Sequence, residues 1–265
     1  MTRRRPTVAD LRADKGKDQK TMLRYFTLDE AAAAEASGIH IASVPPELVA
    51  DPRYRQAAPG VFSMTGRAHS EAGTPDDYLR FCGQMLQAGA DALYCSGSLR
   101  TVEYLAREYV PVVGHVGLVP SRATFTGGFR AVGKSADQAI ALYHECRRYQ
   151  EAGAFAVEVE VVPVEVASTI SARLDLLLWS MGAGPGCDAQ YLFAEDILGE
   201  NRGRLPRHAK VYRNFVEEYD RLQAERIAAF SEFRADVESG AFPEPRHVVT
   251  MDPCEHEAFL KGIGG

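Results

Sequence analysis

The segment AVEVEVVPVEVASTISARLDLLLWSMG, residues 156–182, decides how the chain folds. It holds two short runs of nearly continuous apolar character, Ala156–Val162 and Leu176–Gly182, on either side of a longer segment. A short run rich in β-branched residues, without polar alternation, is the mark of a parallel strand buried on both faces. Five further runs of this kind precede it: Thr21–Phe26, Ile39–Val44, Gly60–Gly66, Ala92–Gly97 and Val110–Gly117. The intervening segments carry helix signals. Thr27 opens TLDEAAAAEASG as an N-cap, with Glu30 at the capping-box position and Gly38 as the stop. Thr74-Pro75 precedes DDYLRFCGQMLQAGA, placing proline at the first helical position and acids in the first turn. Ser135 starts SADQAIALYHECRRYQEAGA, which also ends at a glycine.

Repeated strand–helix units specify a parallel sheet, and their number and spacing favour a closed (β/α)8 barrel of the TIM type over a doubly wound sheet. No GxGxxG follows the first strand, which weakens a nucleotide-binding Rossmann reading. The eighth strand is expected near Arg207–Tyr212, followed by a long amphipathic helix over about Asn214–Ser239. The expectation is one barrel domain over residues 1–265, with residues 1–20 as an N-terminal extension and 240–265 as an irregular tail.

Composition bounds the function classes. The 265 residues, 46% of them hydrophobic, suit one large core. A net charge of −6 argues against a nucleic-acid partner, and the arginines at 3–5 read as a solvated terminus. No apolar run reaches the roughly 18 residues that a membrane span needs. The basic N-terminus lacks the apolar stretch of a secretory leader, so a cytoplasmic location is expected. The five cysteines (Cys82, Cys95, Cys146, Cys187 and Cys254) are dispersed and form no CxxC pair, so neither a disulfide framework nor a zinc site is indicated.

A barrel of this kind carries its active site at the C-terminal ends of the strands. Those ends present Val44-Pro45-Pro46-Glu47, Thr65-Gly66-Arg67, Tyr94-Cys95-Ser96-Gly97-Ser98, His115, Glu160 and Gly182-Ala183-Gly184. Glu158 and Glu160 alternate with valines and so share one face of a strand. Glu160 reads either as a general acid or base at the barrel mouth or as half of a structural salt bridge. His115, flanked by glycines, reads either as a site residue or as a hydrogen-bonded core histidine. The backbone N–H groups of Gly182 to Gly184 suit a phosphate or carboxylate, or the segment is simply a tight turn. Cys95 and Cys187 have no base nearby in sequence and read as buried and inert.

Several longer segments resemble the ketopantoate hydroxymethyltransferase family, within the wider phosphoenolpyruvate mutase/isocitrate lyase superfamily of barrels. They run from RPTVADLRADKGKDQKTMLRYFTLDEAAAAEASGI through VPVVGHVGLVPSRATFTGGFRAVGK and YQEAGAFAVEVEVVPVEVA to MGAGPGCDAQYLFAEDILG, RHAKVYRNF and FRADVESGAFPEPRH. The GHVGL-VP and VE-VVPVE-A segments are the specific ones. The resemblance implies Glu160 as the catalytic glutamate, His115 as an active-site histidine, and Gly182 and Gly184 in the late barrel loop. It also implies a 2-oxo acid substrate, methylenetetrahydrofolate as one-carbon donor, and a large homo-oligomer, commonly a decamer. In the family, magnesium is held by two aspartates and a glutamate after strands 2, 3 and 4. Here Pro46, Gly66 and Ser96 stand at those positions, and Tyr94 replaces a lysine. Magnesium therefore becomes an unfavoured cofactor, unless Glu47, His69 or Glu71 rebuilds a site.

Three readings follow. The first is an enzyme with altered, metal-independent carbon–carbon chemistry on a 2-oxo or related carboxylic acid. In it Arg67 and His69 supply positive charge, and Glu47, Tyr94, Ser96, Ser98, Gly182 and Gly184 line the substrate. The second is the family's own hydroxymethyl transfer with a rebuilt metal site. The third is a catalytically silent relative that binds a small acid or a partner.

Overall fold

The computed structural model describes residues 3–67 and 73–264. Eight parallel strands close into a barrel in strict sequence order. They are β1 (Lys20–Arg24), β2 (Ile41–Ser43), β3 (Phe62–Gly66), β4 (Ala92–Tyr94), β5 (Val112–Gly117), β6 (Ala156–Glu160), β7 (Leu177–Met181) and β8 (Ala189–Phe193). Six of the seven apolar runs of the sequence each contain one strand, and β1 overlaps the seventh, Thr21–Phe26, beginning one residue before it. The eighth strand, expected near Arg207–Tyr212, lies at Ala189–Phe193 instead. The error has a physical origin: parallel strands normally need a crossover of a dozen residues or more, usually a helix. Here the segment 182–188 joins β7 to β8 with no helix, and Gly182 and Gly184 take left-handed φ values of 70° and 88°.

The helices between the strands are α1 (Val8–Ala13), α2 (Leu28–Ala36), α3 (Pro46–Ala50), α4 (Tyr54–Ala57), α5 (Pro75–Gln87), α6 (Leu99–Arg107), α7 (Ala123–Thr126), α8 (Ala136–Glu151), α9 (Val164–Arg173) and α10 (Ala194–Leu198). The caps read from sequence are present. The side chains of Thr27 and Thr74 accept from the amides of Glu30 and Asp77 in full capping boxes, and Ser135 accepts from Gln138.

Period-two alternation sorts the strand residues into two cores. One lies between barrel and helices, with Val157, Val159 and Leu178 packed among Tyr149, Leu142 and Ile170. The other fills the barrel, with Met22, Ile41, Phe62, Met64, Val113, Leu177, Trp179 and Tyr191. Leu11 of α1 joins the inner core, so the N-terminal extension plugs the barrel's N-terminal end. Behind it, Lys15 pairs with Asp188 at 2.8 Å, and the same carboxylate oxygen accepts the Leu178 amide.

The chain divides into two compact units, Met1–Arg213 and Asn214–Gly265. The second contains α11 (Phe215–Ser239), as the sequence predicts, and α12 (Pro253–Ile263). The stretch read as an irregular tail is therefore partly helical, with Pro253 at the first helical position and Asp252 capping the amide of Cys254. Among the described residues no helix is long and apolar enough to cross a membrane.

Candidate active site

The inward-facing positions near the C-terminal ends of the strands are polar, in contrast to the apolar filling below them. Strand register sets the neighbours: His115 of β5 lies opposite Glu158 of β6, and Gly117 lies opposite Glu160. Both carboxylates and the imidazole therefore point into the barrel. Gly117, at φ 85°, permits this closeness, because a Cβ there would sit 2.3 Å from the Glu160 carbonyl oxygen. Val161 follows with φ 51°, a costly conformation for a β-branched residue, and turns the chain away directly after Glu160.

His115 is 4% exposed and held between three groups. The Tyr94 hydroxyl lies 2.8 Å from its Nδ1. A Glu158 carboxylate oxygen is 3.7 Å from the same nitrogen, and a Glu160 oxygen is 3.1 Å from Nε2. Despite that last distance Nε2 makes no hydrogen bond, because the oxygen stands out of line with the ring N–H. A buried ring nitrogen left in this state is an open donor or acceptor at the heart of the site. Burial and the nearby Glu158 push the Tyr94 phenol above its ordinary range, so it keeps its proton and can donate to Nδ1. With Tyr94 donating, Nδ1 accepts and a ring proton lies on Nε2, facing Glu160.

Glu158, 5% exposed, titrates at about 7. Burial is the main cause and Glu160 adds repulsion, while His115 and Arg24 oppose them. Glu160 is the carboxylate that reaches the open side. It lines a cleft of about 1210 Å³ together with Lys134, Met181, Tyr191, Phe193 and His208. Gly182 and Gly184 line the same cleft. A Cβ on Gly182 would come within 2.9 Å of His208, so the glycine makes room for that ring. The Gly184 carbonyl accepts from Gln190, and the Ala183 amide donates to Ser180.

The other residues singled out in the sequence are distributed differently. Ser98 caps α6 through the Thr101 amide. Ser96 bonds to Tyr78 and Tyr94. Glu47 is exposed on α3. Arg67 is exposed, with its guanidinium 4.8 Å from the centre of the Phe81 ring on α5, and no contact joins it to His115 or Glu160. His69 and Glu71 lie outside the described residues. Cys95 and Cys187 are buried, with thiols pushed up to about 11 and about 12 by burial, as expected of inert cysteines. Two inward-facing residues escaped the sequence reading. Arg24 and Ser43 are hydrogen-bonded neighbours on β1 and β2. The linear signal was weak, because β1 also carries Lys20 and Thr21 and so lacks the continuous apolar run of the other strands.

Of the three positions that the resemblance assigns to metal ligands, Pro46 and Gly66 offer no side-chain donor, and the Ser96 hydroxyl bonds to Tyr78 and Tyr94. Pro46 has no side-chain oxygen, and it starts α3. At Gly66, a Cβ would already lie 2.8 Å from Tyr94, so an aspartate there would displace the ring that holds His115. Among the described residues no group of three or more His, Cys, Asp or Glu is arranged to hold a metal.

Comparison with known proteins gives a consistent family assignment. Residues 67–245 match the model of ketopantoate hydroxymethyltransferase. The 3-methyl-2-oxobutanoate hydroxymethyltransferase of Chloroflexus aurantiacus is 38% identical over 191 residues, 71% of this chain and 65% of that protein. That of Cenarchaeum symbiosum is 35% identical over 69% of this chain and 68% of its own length. The match thus spans slightly less than two thirds of the Chloroflexus relative. Among solved structures, 2,3-dimethylmalate lyase, a PEP mutase/isocitrate lyase superfamily member, superposes with TM-score 0.51 at 13% identity, covering 97% of this chain and 98% of its own. Phosphoenolpyruvate phosphomutase from Streptomyces platensis subsp. rosaceus gives 0.50 at 14% identity, over 98% and 96%. At such identities the structures share the fold alone. The sequence matches carry the conclusion: the chain belongs to the ketopantoate hydroxymethyltransferase family.

Proposed function

We propose that the protein is an enzyme of the hydroxymethyltransferase type that makes or breaks a carbon–carbon bond next to the carbonyl of a 2-oxo or related carboxylic acid, without a metal ion. The observation that carries this reading is Glu160 at the cleft wall, 3.1 Å from a buried His115 nitrogen that has no hydrogen bond. Glu160 takes the proton from the carbon beside the carbonyl, and the C–H electron pair moves toward the carbonyl oxygen. Tyr94 holds the His115 tautomer that presents an N–H into the site. That N–H donates to the oxygen on which charge develops, in surroundings too dry to screen it. The resulting enolate carbon then attacks a one-carbon or other aldehyde, the electron pair of its C=O π bond moves to oxygen, and that oxygen takes the proton held by Glu160. The reverse sequence cleaves the bond.

The test follows proton NMR of 3-methyl-2-oxobutanoate in D2O, with and without magnesium. Loss of the C3 proton signal without magnesium, abolished in Glu160→Gln, is the expected result. Exchange that persists in Glu160→Gln removes Glu160 as the base. Family membership favours a second reading, the relatives' hydroxymethyl transfer from methylenetetrahydrofolate; exchange that requires magnesium would support it. No exchange under either condition, together with ligand binding, would leave a silent relative.

A further inference from the structure

We infer that Arg24 is the carboxylate-binding residue of this site, holding the acid group of the substrate against the inner wall formed by β1, β2 and β8. The inference rests on the proposed reading that the ligand is a small carboxylic acid. Arg24 faces inward at the end of β1, in register with Ser43 on one side and Phe193 on the other. One guanidinium nitrogen donates to Ser43 Oγ at 3.0 Å, and the guanidinium carbon lies 5.2 Å from the Phe26 ring centre and 5.8 Å from that of Phe193. The rings fix the plane of the fork, which is how an arginine is held ready for a planar anion.

The informative fact is what the fork lacks. Among the described residues no carboxylate forms an ion pair with Arg24, although it is half-buried. Its positive charge is felt by Glu158, which forms no salt bridge with it, and the neutral Tyr191 hydroxyl on the adjacent β8 accepts a hydrogen bond from it. Five N–H donors with two side-chain acceptors, Ser43 Oγ and the Tyr191 hydroxyl, leave room for the two-point grip that arginine makes on a carboxylate. Phe193 and Tyr191, its immediate neighbours, line the cleft that Glu160 also lines. The cleft lining itself carries Glu160 with Lys134, Arg204 and Arg207, and these three cations come from loops outside the barrel strands. Arg24 is the arginine or lysine that the barrel strands aim inward at their C-terminal ends, among the described residues. Arg67, the arginine suggested by sequence position, is exposed over Phe81 instead.

Binding of 3-methyl-2-oxobutanoate and of the uncharged 3-methyl-2-butanone is measured by NMR titration against wild type, Arg24→Met, Arg24→Lys and Glu160→Gln. Arg24→Met is expected to lose about 10- to 100-fold in affinity for the acid, the range of a charged hydrogen-bonded contact, with affinity for the ketone unchanged. Arg24→Lys retains the charge but not the fork and is expected to fall between. If Arg24→Met does not fold, the ratio of acid to ketone affinity in Arg24→Lys decides: a ratio equal to wild type overturns the inference. Equal loss of both ligands, unchanged acid binding in Arg24→Met, or failure of the wild type to bind the acid also overturns it. Glu160→Gln separates the two claims. Acid binding that depends on Arg24, with exchange that survives in Glu160→Gln, sinks the proposed base and leaves the arginine assignment standing.

Discussion

Replacing Glu158 by glutamine tests the electrostatics of the barrel interior directly. In the folded protein Glu158 titrates near 7, against an ordinary value of 4.5. The folded state therefore binds more protons than the unfolded chain between those two values. Stability must fall as pH rises through that window, then level off above it. Each tenfold change in proton affinity is worth about 1.4 kcal/mol, so the full cost of ionising Glu158 in place is on the order of 3 kcal/mol. Glutamine keeps the shape and carries no charge at any pH. At pH 5 the wild type and Glu158→Gln should be nearly equal in stability. At pH 8.5 the variant should be more stable by up to about 3 kcal/mol, a melting rise of roughly 5–10 °C for a domain of this size. Thermal melts of both proteins at pH 5, 6, 7 and 8.5 give the answer, and taking their difference cancels the titrating groups that do not interact with Glu158. Parallel curves would refute the reasoning. A variant less stable at pH 8.5 would mean that the carboxylate is a well-paired anion.

The remaining expectations concern space and a salt bridge. Gly66→Asp places a side chain where a Cβ already meets Tyr94 at 2.8 Å, so it should destabilise by about 1–3 kcal/mol and should not create magnesium binding, both readable by melting with and without the ion. Tighter folding in magnesium would show that the family's ligand position had been restored. Asp188→Ala strands Lys15, whose side chain is only 18% exposed, and should cost about 3 kcal/mol in urea unfolding while leaving D2O exchange intact. Gly182→Ala forces both a left-handed alanine and a clash with His208. It should lower stability by about 1 kcal/mol or more and shift the His208 ring signals in an NMR spectrum, whereas unmoved signals would place that ring elsewhere.

Much of the barrel was legible because parallel strands buried on both faces leave an unmistakable apolar signature, as in Ala156–Val162 and Val110–Gly117. Thr27, Thr74 and Ser135 announced their helices because capping is local chemistry. The eighth strand was misplaced for the opposite reason: reading by period assumes a helix between strands, and the β7–β8 link dispenses with one. In the candidate site, Glu160 and His115 stood out as polar residues at strand ends, and the structure brings them together. Arg24 did not stand out, since its meaning depends on β8 lying beside β1, a neighbour relation that only closure creates. Glu158 was visible as an alternating acid, but its near-neutral titration comes from burial by residues remote in sequence. Arg67 occupied the right strand end, yet its long side chain turned outward to an aromatic ring, a choice that no linear pattern encodes.

The plug formed by α1 has a consequence for how the molecule assembles. It precedes every barrel strand, yet its seat is built by β1, β2 and β7, and Lys15 meets a partner 173 residues further along the chain. Nothing can hold the plug until nearly the whole circle of strands exists. Linking two such distant points carries a large loop-closure penalty that only simultaneous packing of the barrel floor offsets. Sealing the floor and joining the last strand to the first are then one late event, and a chain cut before residue 189 would leave α1 with nowhere to dock.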